Sequence, residues 1–205
     1  SILKCAARHT GASWLVKMDV QGFFESISEI QVYRVFLALG YRPLVAFELA
    51  RLCTCTPAQS PRYNLEQWRV HRRRDVIEAY QSNRIGFLPQ GAPTSPMLSN
   101  LVMMDADKKI EEVAKKDSLT YTRYSDDLTF STRGEFDRSR AKVLIREVSK
   151  ILGHIGMWPN PNKTVVVPPG GRKIVLGLLV DSSMPKLTRD FRSRLRQHIY
   201  YLEKL

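Results

Sequence analysis

Three carboxylates carry the chemistry open to this sequence. Asp126 and Asp127 stand side by side in YTRYSDDLTFS, residues 121–131, between two runs that alternate as half-buried strands do. Asp19 lies near the end of an apolar run, 14–20, in SWLVKMDVQGFFESI. Two like charges at a hairpin tip repel unless something positive sits beside them. If the tip and the strand that ends near Asp19 are neighbours in one sheet, their oxygens converge on hard divalent cations. Mg²⁺ keeps several waters and needs only two or three protein carboxylates when substrate phosphates complete its shell. Two such ions about 4 Å apart activate an attacking hydroxyl and stabilise the leaving oxygen of an in-line phosphoryl displacement. Paired Asp residues at a turn are also ordinary turn chemistry, so the residues alone leave both readings open.

The elements that must position these groups are legible in outline. A strand over 14–20 leads into a helix capped by Ser28, with Gln31 completing a capping box, and the helix stops at Gly40. A second helix starts at Pro43 and runs to about Cys53. Residues 54–84 are polar and Arg-rich, with RVHRRRD at their heart and Tyr63, Trp68 and Tyr80 interleaved, a composition suited to base stacking and phosphate contacts or to an exposed helix. The stretch beginning GFLPQGAPTSP passes from a loop into a long helix with Ser95 as N-cap and Pro96 at its first position, its apolar face formed by Leu98, Leu101, Val102, Ile110 and Val113. After the Asp-Asp hairpin, a helix over 137–152 turns Val143, Leu144, Val148, Ile151 and Leu152 inward and is ended by Gly153 and Gly156. NKTVVVPPGGRKIVLGLLVD then reads as two short strands about the Pro-Pro-Gly-Gly turn, and Thr188 caps a final basic helix. Strands mixed with helices in this order, with two hairpins, give an α+β fold on an antiparallel sheet.

Charge and composition narrow the partners. The chain of 205 residues carries 32 Lys and Arg against 20 Asp and Glu, a net +12, which favours a polyanion, nucleic acid before membrane. No apolar run of about 18 residues and no signal peptide is present, so a cytoplasmic protein with no membrane partner is expected. Cys5, Cys53 and Cys55 are an odd number and suit a reducing compartment. Together with His9 they have zinc-ligand chemistry, but a Cys-x-Cys spacing suits zinc poorly. A first residue other than Met and a last helix without a C-cap read as a piece of a longer polypeptide.

KMDVQGFF, LPQGAPTSP, RYSDDLTFS, NPNKT and IVLGLLV, in this order and at these separations, resemble the reverse transcriptases of the bacterial retron and group II intron lineage. The resemblance covers the chain apart from its Arg-rich segment. It implies a right-hand polymerase palm whose antiparallel sheet is flanked by helices, with a helical fingers portion and the start of a helical thumb, the N-terminal fingers and most of the thumb being absent. On this reading residues 1–27 end the fingers and open the palm, 28–95 hold fingers helices and the Arg-rich insertion, 96–183 are palm and 184–205 begin the thumb. It implies that Asp19 and Asp126 bind two Mg²⁺ ions, for which Mn²⁺ can substitute, with the Val20 carbonyl as a further ligand and Asp127 as a supporting carboxylate. Phe24 becomes the gate that excludes a 2′-hydroxyl; read as successive strand residues, Phe23 and Phe24 point opposite ways, so at most one of them serves. Gln90 and Gly91 contact the incoming nucleotide and template, where glycine admits a backbone approach that any Cβ would block. Lys163 protonates departing pyrophosphate. Val175, Leu176 and Gly177 grip the primer, and Arg189, Arg192 and Arg196, on one helical face, meet the template–primer backbone. Arg72, Arg73 and Arg74, outside the resemblance, are candidate nucleic-acid contacts on the composition of their segment alone.

Within the lineage, CAARH at residues 5–9 and VLG at 175–177 match the Asn-Ala-x-x-His and Val-Thr-Gly of retrons with one departure each. RLCT, LPQGAPTSP and YTRYSDDLTFS look more like retrons than intron maturases. A retron implies RNA-directed DNA synthesis with dNTPs on a structured noncoding RNA that is both template and primer, a nascent DNA product, an effector protein and antiphage defence. The rivals are a polymerase that works without a template and an RNA-binding module whose chemistry is vestigial.

Overall fold

The computed structural model describes residues 1–56 and 85–204. Two compact units divide the chain, one of residues 1–20, 108–154 and 158–205, the other of residues 21–107 and 155–157.

The first unit is built on a four-stranded sheet in the order β2-β3-β1-β4, all pairs antiparallel: β1 is Trp14–Asp19, β2 Thr120–Tyr124, β3 Asp127–Thr132 and β4 Val165–Val167. Register sorts the side chains into two faces, because successive residues of a strand point opposite ways. One face carries Val16, Met18, Leu128 and Phe130, all buried. The other carries Leu15, Lys17 and Asp19 on β1, opposite Ser131, Thr129 and Asp127 on β3. One face is therefore core and the other is polar at the end where β1 finishes.

Around the sheet stand α1 (Ile2–Ala7) before β1, the second half of α4 (Ser95–Lys116), and α5 (Arg138–His154) after β3. In α5, Ala141, Leu144, Val148 and Leu152 are buried, a stripe of i, i+3, i+4 spacing that places the inward face correctly except for Val143, which is exposed. Gly153 lies inside α5 rather than ending it, and the break falls at Gly156, whose φ of +76° no Cβ-bearing residue adopts cheaply.

A second, three-stranded sheet corrects the expected hairpin about Pro-Pro-Gly-Gly. β4 joins β1 in the large sheet, and the hairpin closes instead between β5 (Ile174–Val175) and β6 (Leu178–Leu179), with β7 (Lys186–Leu187) outside β6. Its two loop residues, Leu176 and Gly177, have φ of +49° and +81°, the pattern of a type I′ turn. Val175 and Val180 pack with Ala6 and Leu15 in one buried cluster, with Leu176 and Leu178 against it. This hairpin is thus pinned to the strand that bears Asp19. Thr188 accepts from the Phe191 amide and caps α6 (Arg189–Leu202), as its sequence predicts.

In the second unit, α2 (Glu29–Ala38) opens with the predicted capping box of Ser28 and Gln31, and α3 (Pro43–Cys53) starts on Pro43. The long helix α4 (Ser95–Lys116) begins one residue earlier than expected. Thr94 stands at the cap, its carbonyl accepting from the Leu98 amide, while the Ser95 hydroxyl donates to the Pro89 carbonyl at 2.7 Å and holds the PQGAP loop closed. The buried positions of α4 are Ser95, Leu98, Ser99, Met103, Ala106, Ile110 and Ala114, so the inward stripe is turned from the expected one, with Leu101, Val102 and Val113 at its margin.

Candidate active site

β1 and β3 bring the distant carboxylates together. Asp19 and Asp127 are register partners, a pairing that sets their Cα atoms about 5 Å apart on the polar face. Between β2 and β3 the loop is only Ser125 and Asp126, with Tyr124 paired to Asp127. Ser125 has a φ of +57°, a conformation that costs a non-glycine residue about 1 kcal/mol or more and fixes where the next residue points. The Asp126 carbonyl accepts from the Val20 amide at 2.9 Å, so the turn is tied to the end of β1.

NPNKT closes the other side. The Asn160 amide donates to the Asp19 carbonyl at 2.7 Å, the Asn160 side chain caps a 3₁₀ turn over Pro161–Lys163, and the turn projects Lys163 back over β1. Its Nζ lies 3.2 and 3.1 Å from the two Asp19 carboxylate oxygens. Val20 bridges Pro159. The Asp19–Val20 peptide is thereby held from both sides, its amide by the Asp126 carbonyl and its carbonyl by the Asn160 amide.

A second lysine completes the electrostatics. Lys17, two residues before Asp19 and so on the same face, reaches Asp127 Oδ2 at 3.1 Å, and Thr129 Oγ1 donates to Asp127 Oδ1. The period-2 spacing of Lys17 and Asp19 is the signal that could have found it. Asp126 is left with burial as the main influence, and then with the Asp19 and Asp127 charges, which together push its carboxyl above the ordinary value against its own amide and Lys163. The lysines therefore answer the repulsion at Asp19 and Asp127. Among the described residues no group of three or more His, Cys, Asp or Glu side chains is arranged to hold a metal ion. The donor set still fits hard cations in kind: Asp19 at the end of β1, Asp127 at the start of β3 and Asp126 in the turn between β2 and β3 offer carboxylate oxygens, the Asp126 carboxyl raised first by burial and then by its two charged neighbours.

Beneath the hairpin lies a buried polar network that sequence reasoning missed. His9, 1% exposed, makes hydrogen bonds of 2.7 Å from Nδ1 to Ser131 Oγ on β3 and from Nε2 to Thr122 Oγ1 on β2. Cys5 Sγ donates to the same Thr122 hydroxyl at 3.0 Å. Burial, with help from the Arg8 charge, lowers the His9 pKa to about 4, so the ring is neutral and one nitrogen donates while the other accepts. Cys5 and His9 serve this network rather than a zinc set with Cys53 and Cys55.

In the second unit, Phe23 and Phe24 sit in a turn beyond β1 and not on a strand; Phe23 is buried, Phe24 half-buried, and their rings meet edge to face. Gln90 and Gly91 are exposed. Gly91 has a φ of +93° and open space where a Cβ would stand, so within the chain its backbone conformation, not crowding, calls for glycine. Arg189, Arg192 and Arg196 lie exposed on α6. Arg72, Arg73 and Arg74 lie outside the described residues.

Residues 1–180 match the family described as reverse transcriptase (RNA-dependent DNA polymerase). The chain belongs to that family. It is 33% identical over 216 residues to the retron Mx162 reverse transcriptase of Myxococcus xanthus, with all of the chain and 42% of the relative covered. It is 34% identical over 200 residues to the retron Mx65 reverse transcriptase of the same organism, covering 98% of the chain and 43% of the relative. To the retron Ec86 reverse transcriptase of Escherichia coli it is 29% identical over 202 residues, covering 98% of the chain and 53% of the relative. The chain thus spans about half the length of these relatives. No helix among the described residues is long and apolar enough to cross a membrane.

Proposed function

We propose that the chain is the core of an RNA-directed DNA polymerase that extends a primer hydroxyl with dNTPs by phosphoryl transfer. The observation that carries this is the pairing of Asp19 with Asp127 across β1 and β3, with Asp126 at the turn and Lys163 on Asp19. In this reading Asp19, Asp126 and the Val20 carbonyl hold two Mg²⁺ ions and Asp127 supports them. The bound ions supply the positive charge that eases deprotonation of the attacking hydroxyl and offsets charge on the leaving oxygen.

The protein groups do the rest. Lys163 gives up its contact with Asp19 and delivers a proton from Nζ to departing pyrophosphate. Phe24 lies under the nucleotide sugar and rejects a 2′-hydroxyl, and Gln90 and Gly91 present the loop held by Ser95 to the incoming nucleotide. The turn at Leu176 and Gly177, fixed by the Val175 cluster to β1, holds the primer end. Arg189, Arg192 and Arg196 meet the duplex backbone, and Arg72, Arg73 and Arg74 add phosphate contacts. Residues 96–183 form the palm, between fingers and the first thumb helix.

The relatives' names support a retron RNA as template and primer; an effector protein and a role in antiphage defence follow from the same reading. The test is synthesis on a defined primed RNA with dNTPs and titrated Mg²⁺. Product complementary to the template supports the proposal, and product of unrelated sequence assigns the chain to template-independent synthesis.

A second reading has one observation in its favour. Because Lys17 and Lys163 neutralise two of the three carboxylates, the site is tolerable without metals, as an RNA-binding module without chemistry requires. RNA binding with no incorporation at any Mg²⁺ concentration would select it.

A further inference from the structure

The segment that carries Lys163 begins at Trp158, and Trp158 is 61% exposed, which is unusual for so large an apolar side chain. Its indole lies against the last turn of α5: a Cβ placed on Gly153 would stand 3.4 Å from the edge of the ring. That is ordinary contact distance, so the ring lies against this turn of the helix whether or not the position carries a methyl group. The rest of the ring faces solvent across an open groove of about 670 Å³ lined by Arg146, Ser149, Lys150, Gly153 and His154.

The groove floor is apolar and its edge is basic. Lys142, Arg146, Lys150 and His154 recur every four residues and form one stripe along α5. Glu147 pairs with Arg146 at 3.5 Å and Lys150 at 3.0 Å, offsetting one charge and leaving the stripe basic. His154 is fixed by Nδ1 against the Lys150 carbonyl at 2.6 Å. A rigid, exposed aromatic face beside a line of cations matches a base stacked on the ring with its flanking phosphates on the cations. An acidic peptide would use the charges but leave the indole without a flat partner.

We propose that Trp158, with Arg146 and Lys150, is a stacking platform for an unpaired nucleotide of RNA, separate from the carboxylate site. The platform is rigidly linked to that site, since Pro159 bridges Val20 and Asn160 bonds the Asp19 carbonyl. It rests on the proposed RNA substrate, and it assigns the groove to single-stranded RNA outside the primer–template duplex.

Fluorescence anisotropy with a labelled oligoadenylate at fixed salt tests it. Trp158→Ala should weaken binding about tenfold, and Trp158→Phe, which keeps a ring, should stay within about threefold of wild type. Arg146→Glu with Lys150→Glu should weaken binding and flatten its salt dependence. All of these variants should extend a short pre-annealed primer–template as wild type does. Unchanged RNA affinity in Trp158→Ala overturns the platform, as does equal weakening by Phe and Ala. Unchanged affinity with loss of self-association in sedimentation gives the groove to a second copy and also overturns it. If wild type binds the oligonucleotide as described but incorporates nothing, the polymerase reading fails and the platform stands.

Discussion

Asp19 and Asp127 face each other across β1 and β3, and each is met by a different lysine: Lys163 at 3.1 Å from Asp19, Lys17 at 3.1 Å from Asp127. Cations attached to the chain thus stand where an acidic cluster needs them.

Lys17 is the simplest place to test that balance. Lys17→Ala leaves Asp127 beside two like charges, and the pair is partly buried, so the metal-free chain should lose about 0.5–1 kcal/mol, a few degrees in Tm. Mg²⁺ should raise the Tm of Lys17→Ala by more than it raises that of wild type. Thermal unfolding in chelator and in Mg²⁺ measures both, and an equal metal response in the two proteins would contradict the arrangement.

His9 makes stability pH-dependent in a defined window. The unfolded ring takes a proton as pH falls through about 6.5, whereas the buried ring resists until about 4. The unfolded state therefore binds more protons in between, and stability present above pH 6.5 is lost as pH falls to 4, by about 3 kcal/mol. His9→Gln should flatten this part of the curve in urea unfolding at several pH values. A slope equal to that of wild type would show that His9 does not set it.

Gly91 separates backbone need from substrate need. Its φ of +93° makes Gly91→Ala cost about 1–2 kcal/mol, with nothing in the chain to clash with the new methyl group. If the nucleotide approaches this backbone closely, kcat/KM for dNTPs should fall well over tenfold while Tm drops only a few degrees. A fall in activity no larger than the loss of folded protein would mean that glycine serves the loop alone.

Local signals carried most of the fold. Ser28 with Gln31, Pro43 and Thr188 mark helix starts because a cap or a proline acts within one turn of chain, and all three stand where the sequence places them. The hairpin turn and the strand to Asp19 are equally local, although the turn is Ser125–Asp126 and Asp127 already belongs to β3. Long-range pairing was not legible: Val165 to Val167 read as the partner of the next strand, yet they pair with β1, a choice made by the sheet as a whole. His9 escaped for a similar reason, since its partners Thr122 and Ser131 lie more than a hundred residues away. Ser95 read as a cap because caps and loop clamps use the same hydroxyl, and only the Pro89 contact distinguishes them.

The central claim is that the carboxylates joined by β1, β3 and the Ser125–Asp126 turn perform nucleotide transfer. Asp126→Asn removes a carboxyl already strained by burial and two neighbouring charges, so folding should be unharmed or slightly improved. The direct measurement is dNTP incorporation on a primed RNA by folded Asp126→Asn protein beside wild type in saturating Mg²⁺. The account predicts incorporation at background with RNA affinity and Tm retained; incorporation within about tenfold of wild type, a barrier change of only about 1.4 kcal/mol, would contradict it.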